Sequence, residues 1–356
     1  MKIVFVIGST NDSHARNRID EFVENGLEVE VYGYDRQGRK RFETSNYTVK
    51  SLGEIKDASY LPRIKKYVAD VIKLKKKYRN QNVVFFLNCL DIALIFRIFY
   101  HKAKFIYEEA DLVHSYRKGE KLLEFLDKRV IKRSLFTILT SEGFVQYHYG
   151  YFKPDNVIVI PNKLNPEIQT LSLIQKRDFN QSNIHFGFVG KPRFDSIYNF
   201  INVVCSNFPN CDVDIFGGPI EHDFEDLKQY SNCHFHGFFK NPIDLPKIYS
   251  SIDLLITTYD YRIGNVKFAE PNKIYESIYF ETPIIVSTET FLANKVNELG
   301  IGFVVDPFNK EQIVEFVKSL TYDELSKKIR AIRKIEKKDA LNINNEFFKK
   351  LKDLEK

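Results

Sequence analysis

The chain has 356 residues, 44% of them hydrophobic and 31 of them phenylalanine, enough to fill two cores and to set disorder aside. Its 53 Lys and Arg against 47 Asp and Glu leave a net charge of +6, which is too little to imply nucleic acid by itself, so none is expected, and which is compatible with phosphate-bearing ligands or an anionic membrane surface. Four cysteines without a CxxC spacing predict reduced core thiols in a cytoplasmic protein, and no apolar run reaches the ~20 residues that span a bilayer.

MKIVFVIG runs directly into a strand pattern, so a strand is expected there rather than a signal peptide. Ile19, Phe22 and Val23 then recur at helical spacing, Gly26 stops the helix, and LEVEVYGY reads as the next strand, completing a βαβ unit. RIKKYVADVIKLKKKYR, residues 63–79, is a basic helix with an apolar stripe of Ile64, Tyr67, Val68, Val71 and Ile72. It either packs on a sheet with its lysines in solvent or meets an anionic membrane, with ALIFRIFYHKAKF, residues 93–105, as an apolar and basic neighbour. NVVFFLN, KFIYEEAD, LFTILTS and NVIVIPN are short apolar runs separated by helical patterns, as in a parallel sheet covered on both faces.

The polar LNPEIQTLSLIQKRDFNQSN reads as a linker and hinge. Then the rhythm restarts with IHFGFVG, CDVDIFGG, CHFHGFF, DLLITTY, PIIVS and GFVVDP. The expected organisation is α/β, with two Rossmann-like doubly wound parallel-sheet domains facing across a cleft. Residues 1–167 form the first and 168–335 the second, and 336–356 make a charged C-terminal helix packing back toward the first. Ligands are expected at the C-terminal ends of the strands. His234 and His236 share a strand face without further ligands nearby, so no metal site is expected.

The richest stretch is EPNKIYESIYFETPIIVS, residues 270–287. Pro271 suits the first turn of a helix, which leaves the amides of Asn272, Lys273 and Ile274 as donors for an anion. At 100° per residue Asn272, Lys273 and Glu276 share one face and Ile274 and Ile278 the opposite one. The stretch reads as a nucleoside diphosphate cradle, with Glu276 placed to accept from ribose hydroxyls, or as an ordinary capped helix with a solvated start.

In order and spacing, MKIVFVIG, KFIYEEADL, LTSEGF, VIPNKL, FGFVGKPR, VDIFGG and the 270–287 stretch resemble the GT-B glycosyltransferases, specifically the family-4-like (group 1) enzymes of bacterial capsular and surface polysaccharide synthesis. The resemblance implies a donor site in the second domain made of Gly190, Lys191, Arg193, Gly217, Asn272, Lys273, Ile274 and Glu276. Lys191 matches the basic residue that meets the diphosphate, and Glu276, seven positions before Pro283, matches the ribose carboxylate. The second acidic position, eight earlier, is Phe268, with Glu270 two places away.

In the first domain the resemblance places the acceptor. Gly8, Ser9 and Thr10 would line it, and Glu109 or Asp111 would orient or deprotonate its hydroxyl, although Ala110 replaces a histidine often found there. Ser141 in LTSEGF would line the acceptor as well, and the same acids, and Ser141 with Glu142, also read as helix caps. The catalytic candidates are therefore Glu109, Asp111 and Glu270.

The implied activity is sugar transfer from a UDP- or GDP-sugar to a growing, lipid-linked surface glycan, with retention of configuration and no metal. It would take place in the cytoplasm, at the inner face of the membrane. Two rival readings share the cradle: a nucleotide-sugar epimerase of GT-B fold, and a non-catalytic partner that binds donor or lipid.

Overall fold

The computed structural model describes every residue except 37–40, 43, 57–59, 117–118, 220–221 and 355–356. The chain divides into two compact units, Met1–Ile160 joined by the chain from Asn344 on, and Pro161–Ile343.

The first unit holds β1 (Lys2–Ile7), β2 (Glu28–Arg36), β3 (Val49–Ile55), β4 (Val83–Leu87), β5 (Lys104–Glu109), β6 (Phe136–Leu139) and β7 (Val157–Val159). They form one parallel sheet in the order β3-β2-β1-β4-β5-β6-β7. The winding direction reverses between β1 and β4, which makes their C-terminal ends the switch point where such sheets bind ligands. β4 is VVFFL, buried along its whole length, as a central parallel strand covered on both faces must be. Phe5 stacks on Phe86 at 4.6 Å and Phe22 meets Phe86 edge-on at 5.3 Å.

β3 escaped the sequence reading. It is an edge strand, VKSLGEI, of which Ile55 alone is buried, so it lacks the apolar run that marks its neighbours. The C-terminal helix Asn345–Asp353 belongs to this unit. It buries Phe347, Phe348 and Leu351, and Phe348 lies 5.1 Å from Phe22.

The second unit holds β8 (His185–Val189), β9 (Asp212–Phe216), β10 (Cys233–Gly237), β11 (Leu254–Thr257), β12 (Ile284–Ser287) and β13 (Gly302–Val305). Their order is β10-β9-β8-β11-β12-β13, again all parallel, with the switch point between β8 and β11. The unit boundary falls earlier than the expected 167/168, and residues 336–343 stay with the second unit. The cause is a bridge in which the Leu164 amide donates to Ala340 at 3.0 Å and the Asn342 amide donates to Leu164 at 2.8 Å.

The expected linker is docked rather than free. Ile168 is buried, Arg177 pairs with Asp253 at 2.6 Å, and Lys176 donates to Thr282 Oγ1 at 2.6 Å. Among the described residues no helix is long and apolar enough to cross a membrane.

Candidate functional site

At the switch point of the second unit, Gly190 follows β8 and Gly217 follows β9, and the Gly190 amide donates to Phe216 O at 2.8 Å. Gly217 has φ +129°, and a Cβ there would lie 2.0 Å from the Gly190 carbonyl oxygen, so the two strand ends approach as only glycine permits. The chain after Gly190 presents Lys191 and Arg193 to solvent. The loop after β11 brings Tyr259 against Phe194, with ring centroids 5.4 Å apart.

The helix Lys273–Tyr279 starts beside this edge with Asn272 as its first flanking residue. Pro271 therefore precedes the helix instead of occupying its first turn. The Ile274 amide is not a free donor either: it bonds to the Pro271 carbonyl at 3.3 Å, because the chain turns tightly into so short a helix. Among the described residues no partner is seen for the Asn272 and Lys273 amides.

The polar face expected from the 100° rule is present, but it is closed on itself. Glu276 is 0% exposed. Its Oε1 accepts from Asn272 Nδ2 at 2.8 Å and from Lys273 Nζ at 2.7 Å. Its Oε2 accepts from Lys273 Nζ at 2.7 Å and from the Tyr249 hydroxyl. These four contacts fill the carboxylate's acceptor capacity. Burial, then the Glu276 charge, holds the Tyr249 hydroxyl well above its usual range. Burial also pushes Tyr259 up to about 12, with Arg193 opposing and Glu276 adding to the shift, which places both charges around one ring. Glu270 is buried one turn away. Its Oε1 accepts from Tyr275 and Lys295, whereas its Oε2 has no hydrogen-bond partner.

In the first unit, the ends of β1 and β4 meet as the topology requires. The Gly8 amide donates to Asn88 Oδ1 at 3.1 Å, and a Cβ on Gly8 would sit 2.4 Å from Cys89 Sγ. Ser9 bonds to Asn11. Thr10 is buried, donating its hydroxyl to Asp35 at 2.8 Å, so it braces β2 rather than facing solvent. Ser141 is also fully buried. It caps the helix Glu142–Tyr149 by accepting from Gly143 N at 2.9 Å, which is the capping role and not a lining one.

Of the β5 acids, Asp111 is exposed just past the strand. Glu108 is buried against Arg18 at 2.9 Å and His14 at 3.2 Å; burial alone would raise its carboxyl, but these cations hold it at about 2. Glu109 lies inside the unit with His148 at 2.8 Å, His114 at 3.4 Å and Asp127 close by. Burial, then the charge of Glu109, pushes Asp127 up to about 7. Burial opposes protonation of His114, yet the two carboxylates raise it to about 9. The sequence reading missed His114, Asp127 and His148. Each is a lone polar residue on its own helix or turn, and no spacing joins them.

The 63–79 stripe divides between two faces. In the helix Tyr60–Tyr78, Tyr67 and Val71 point inward with Leu74 and Tyr78, while Ile64 and Ile72 stand exposed with Leu61 among the lysines. At 100° per residue Ile72 lies about 140° round the helix from Tyr67, so the stripe is wider than the buried face. His234 and His236 each meet a β9 carboxylate, Asp212 at 3.0 Å and Asp214 at 2.6 Å, and belong to no group of three metal-ligating side chains among the described residues.

Residues 172–339 match the family model described as glycosyl transferases group 1. No curated protein matches the sequence. Among solved structures the chain is similar to sucrose-phosphate synthase from Thermosynechococcus elongatus, with a TM-score of 0.71 at 12% identity over 99% of both chains. It is similar to Anabaena HepE in complex with UDP and glucose, with a TM-score of 0.69 at 13% identity over 99% of both chains. It is also similar to WaaG, a glycosyltransferase involved in lipopolysaccharide biosynthesis, with a TM-score of 0.60 at 15% identity over 93% of both chains. With that match and that fold, the second unit is a group 1 glycosyltransferase domain in a chain of GT-B fold.

Proposed function

We propose that this glycosyltransferase moves a sugar from a UDP- or GDP-sugar to a lipid-linked surface glycan, with the donor held at the β8/β11 edge of the second unit. The observation that carries the reading is the Glu276 network: a wholly buried carboxylate bound by Lys273, Asn272 and Tyr249 that shares the Tyr259 ring with exposed Arg193. HepE, a protein of the same fold, was solved with UDP and with UDP-glucose, and this supports a nucleotide sugar as donor.

Because Glu276 is already saturated, ribose hydroxyls take the place of the Lys273 ammonium on its oxygens. Lys273 is then released toward the diphosphate. In the transfer, an acceptor hydroxyl oxygen bonds to the anomeric carbon as the bond from that carbon to the diphosphate oxygen breaks. The bonding pair leaves with the nucleoside diphosphate, and the hydroxyl proton passes to a carboxylate or to the departing phosphate. Lys191, Arg193 and Lys273 stabilise the charge that develops there, so the step needs no metal. Glu270, with its open Oε2, is the carboxylate for a sugar hydroxyl. Asp111, exposed after β5, orients the acceptor.

An anionic membrane is the proposed docking surface for the exposed Leu61, Ile64, Ile72 and neighbouring lysines, which would bring a lipid-borne acceptor within reach. The test incubates the chain with UDP- and GDP-sugars and a lipid-linked glycan, and follows free nucleoside diphosphate and glycan mass. Elongation by one sugar is expected. Binding without release, or an epimerised donor without acceptor, would overturn the assignment.

A further inference from the structure

Glu109, His114, Asp127 and His148 come from four different segments of the first unit. They stand at the end of β5, in the turn Val113–Tyr116, in the helix Glu120–Arg133 and in the helix Glu142–Tyr149. Their ligand atoms nevertheless lie within 4.8 Å of one another, and every one of the four residues is at most 4% exposed. Two carboxylates in one dry pocket repel each other unless something positive stands between them.

Hydrogen bonds among the four do not fill that need. His148 Nε2 and Glu109 Oε2 form one at 2.8 Å. His114 Nε2 is 3.4 Å from Glu109 Oε1 and 3.3 Å from Asp127 Oδ2, close enough for ion pairs but not aligned as hydrogen bonds. Glu109 Oε1, His114 Nε2 and both Asp127 oxygens are thus buried without a hydrogen-bond partner. Buried polar atoms are nearly always satisfied, so four such atoms gathered in one place point to an absent partner.

A tetrahedral ion with bonds of about 2.0–2.1 Å has ligand–ligand edges of roughly 3.3–3.4 Å. The two unbonded contacts have that length. Two imidazoles and two carboxylates also make a neutral set around a divalent ion.

We propose that Glu109, His114, Asp127 and His148 form a structural zinc site that staples the turn after β5 to the two helices beyond it. Four protein ligands leave no open coordination position, so the ion takes no part in catalysis, and the proposal does not rest on the sugar-transfer reading. One imidazole has an outer partner, the Tyr147 hydroxyl, which lies 3.4 Å from His114 Nδ1 and donates to Glu120 at 2.9 Å, whereas His148 Nδ1 has no hydrogen-bond partner among the described residues. The site departs from the sequence expectation of no metal. It also accounts for Glu109 facing the interior while Asp111, two residues on, faces solvent.

The test uses the full chain, stripped with a chelator and titrated with Zn²⁺ by calorimetry, with bound metal counted by mass spectrometry. One equivalent is expected, together with a higher melting temperature. Co²⁺ in its place should give the intense visible bands of four-coordination. Asp127→Asn and His148→Gln should each weaken Zn²⁺ binding by about 10-fold or more. Absence of a stoichiometric equivalent in the unsubstituted chain, weak six-coordinate Co²⁺ bands, or undiminished binding in both variants would overturn the proposal. The unsubstituted titration and the Co²⁺ spectrum decide it even if neither variant folds.

Discussion

Replacing Lys273 by Met removes the ammonium bonded to Glu276 while keeping the side chain's length. Lys273 is 7% exposed and Glu276 0%, and the ammonium supplies two of the four contacts to the carboxylate, both at 2.7 Å. Breaking a buried pair from one side leaves an uncompensated charge and costs about 3–5 kcal/mol. For a unit of this size that lowers the melting temperature by roughly 6–20 °C. Pairing Lys273→Met with Glu276→Gln removes the stranded charge, and the double variant should recover most of the loss. Calorimetric melting of the four proteins in a double-mutant cycle reads this directly. A coupling energy below about 0.5 kcal/mol, the limit for independent sites, would show that Glu276 is solvated and that the closed network is wrong.

Other consequences are as specific. Burial lowers Lys176 from 10.5 to about 8, with Asp253 and Glu281 opposing and Arg333 adding. The folded state thus releases this proton before the unfolded state does, so stability should rise between about pH 8 and pH 10.5, by up to about 3 kcal/mol. Denaturant melts across that range should show a rise that Lys176→Met lacks. Lys191→Ala and Arg193→Ala should each weaken nucleoside diphosphate binding by roughly 10-fold while leaving nucleoside binding unchanged, because in the proposed donor site only the diphosphate would meet those cations; calorimetry with UDP and uridine separates the two. Gly217→Ala places a Cβ 2.0 Å from a backbone oxygen at φ +129° and should cost at least about 1–3 kcal/mol in thermal melts monitored by circular dichroism.

The two parallel sheets were readable because their strands are uninterrupted apolar runs such as VVFFL and FGFV, each closed by a polar residue or glycine. β3 was not, since an exposed edge strand has no need of such a run. The helical face of Asn272, Lys273 and Glu276 followed from a fixed rotation per residue. What the rotation could not reveal was Tyr249, twenty-seven positions away, which completes the carboxylate's shell. The Glu109 cluster lies further from sequence logic: its members stand on four segments and meet only after the sheet has formed. The stripe at 63–79 is wider than the face the helix buries, so the sequence alone did not divide Tyr67 and Val71 from Ile64 and Ile72.

The most direct test of the donor site is a thermal-shift titration of the full chain with UDP, GDP, CMP and their common sugars, beside Glu276→Gln and Lys273→Ala. One nucleotide class at about 100 times its dissociation constant should stabilise the unsubstituted chain by ~2.7 kcal/mol, and the gain should be lost in both variants. No shift with any nucleotide, or an undiminished shift in both variants, would contradict a donor site built around Glu276.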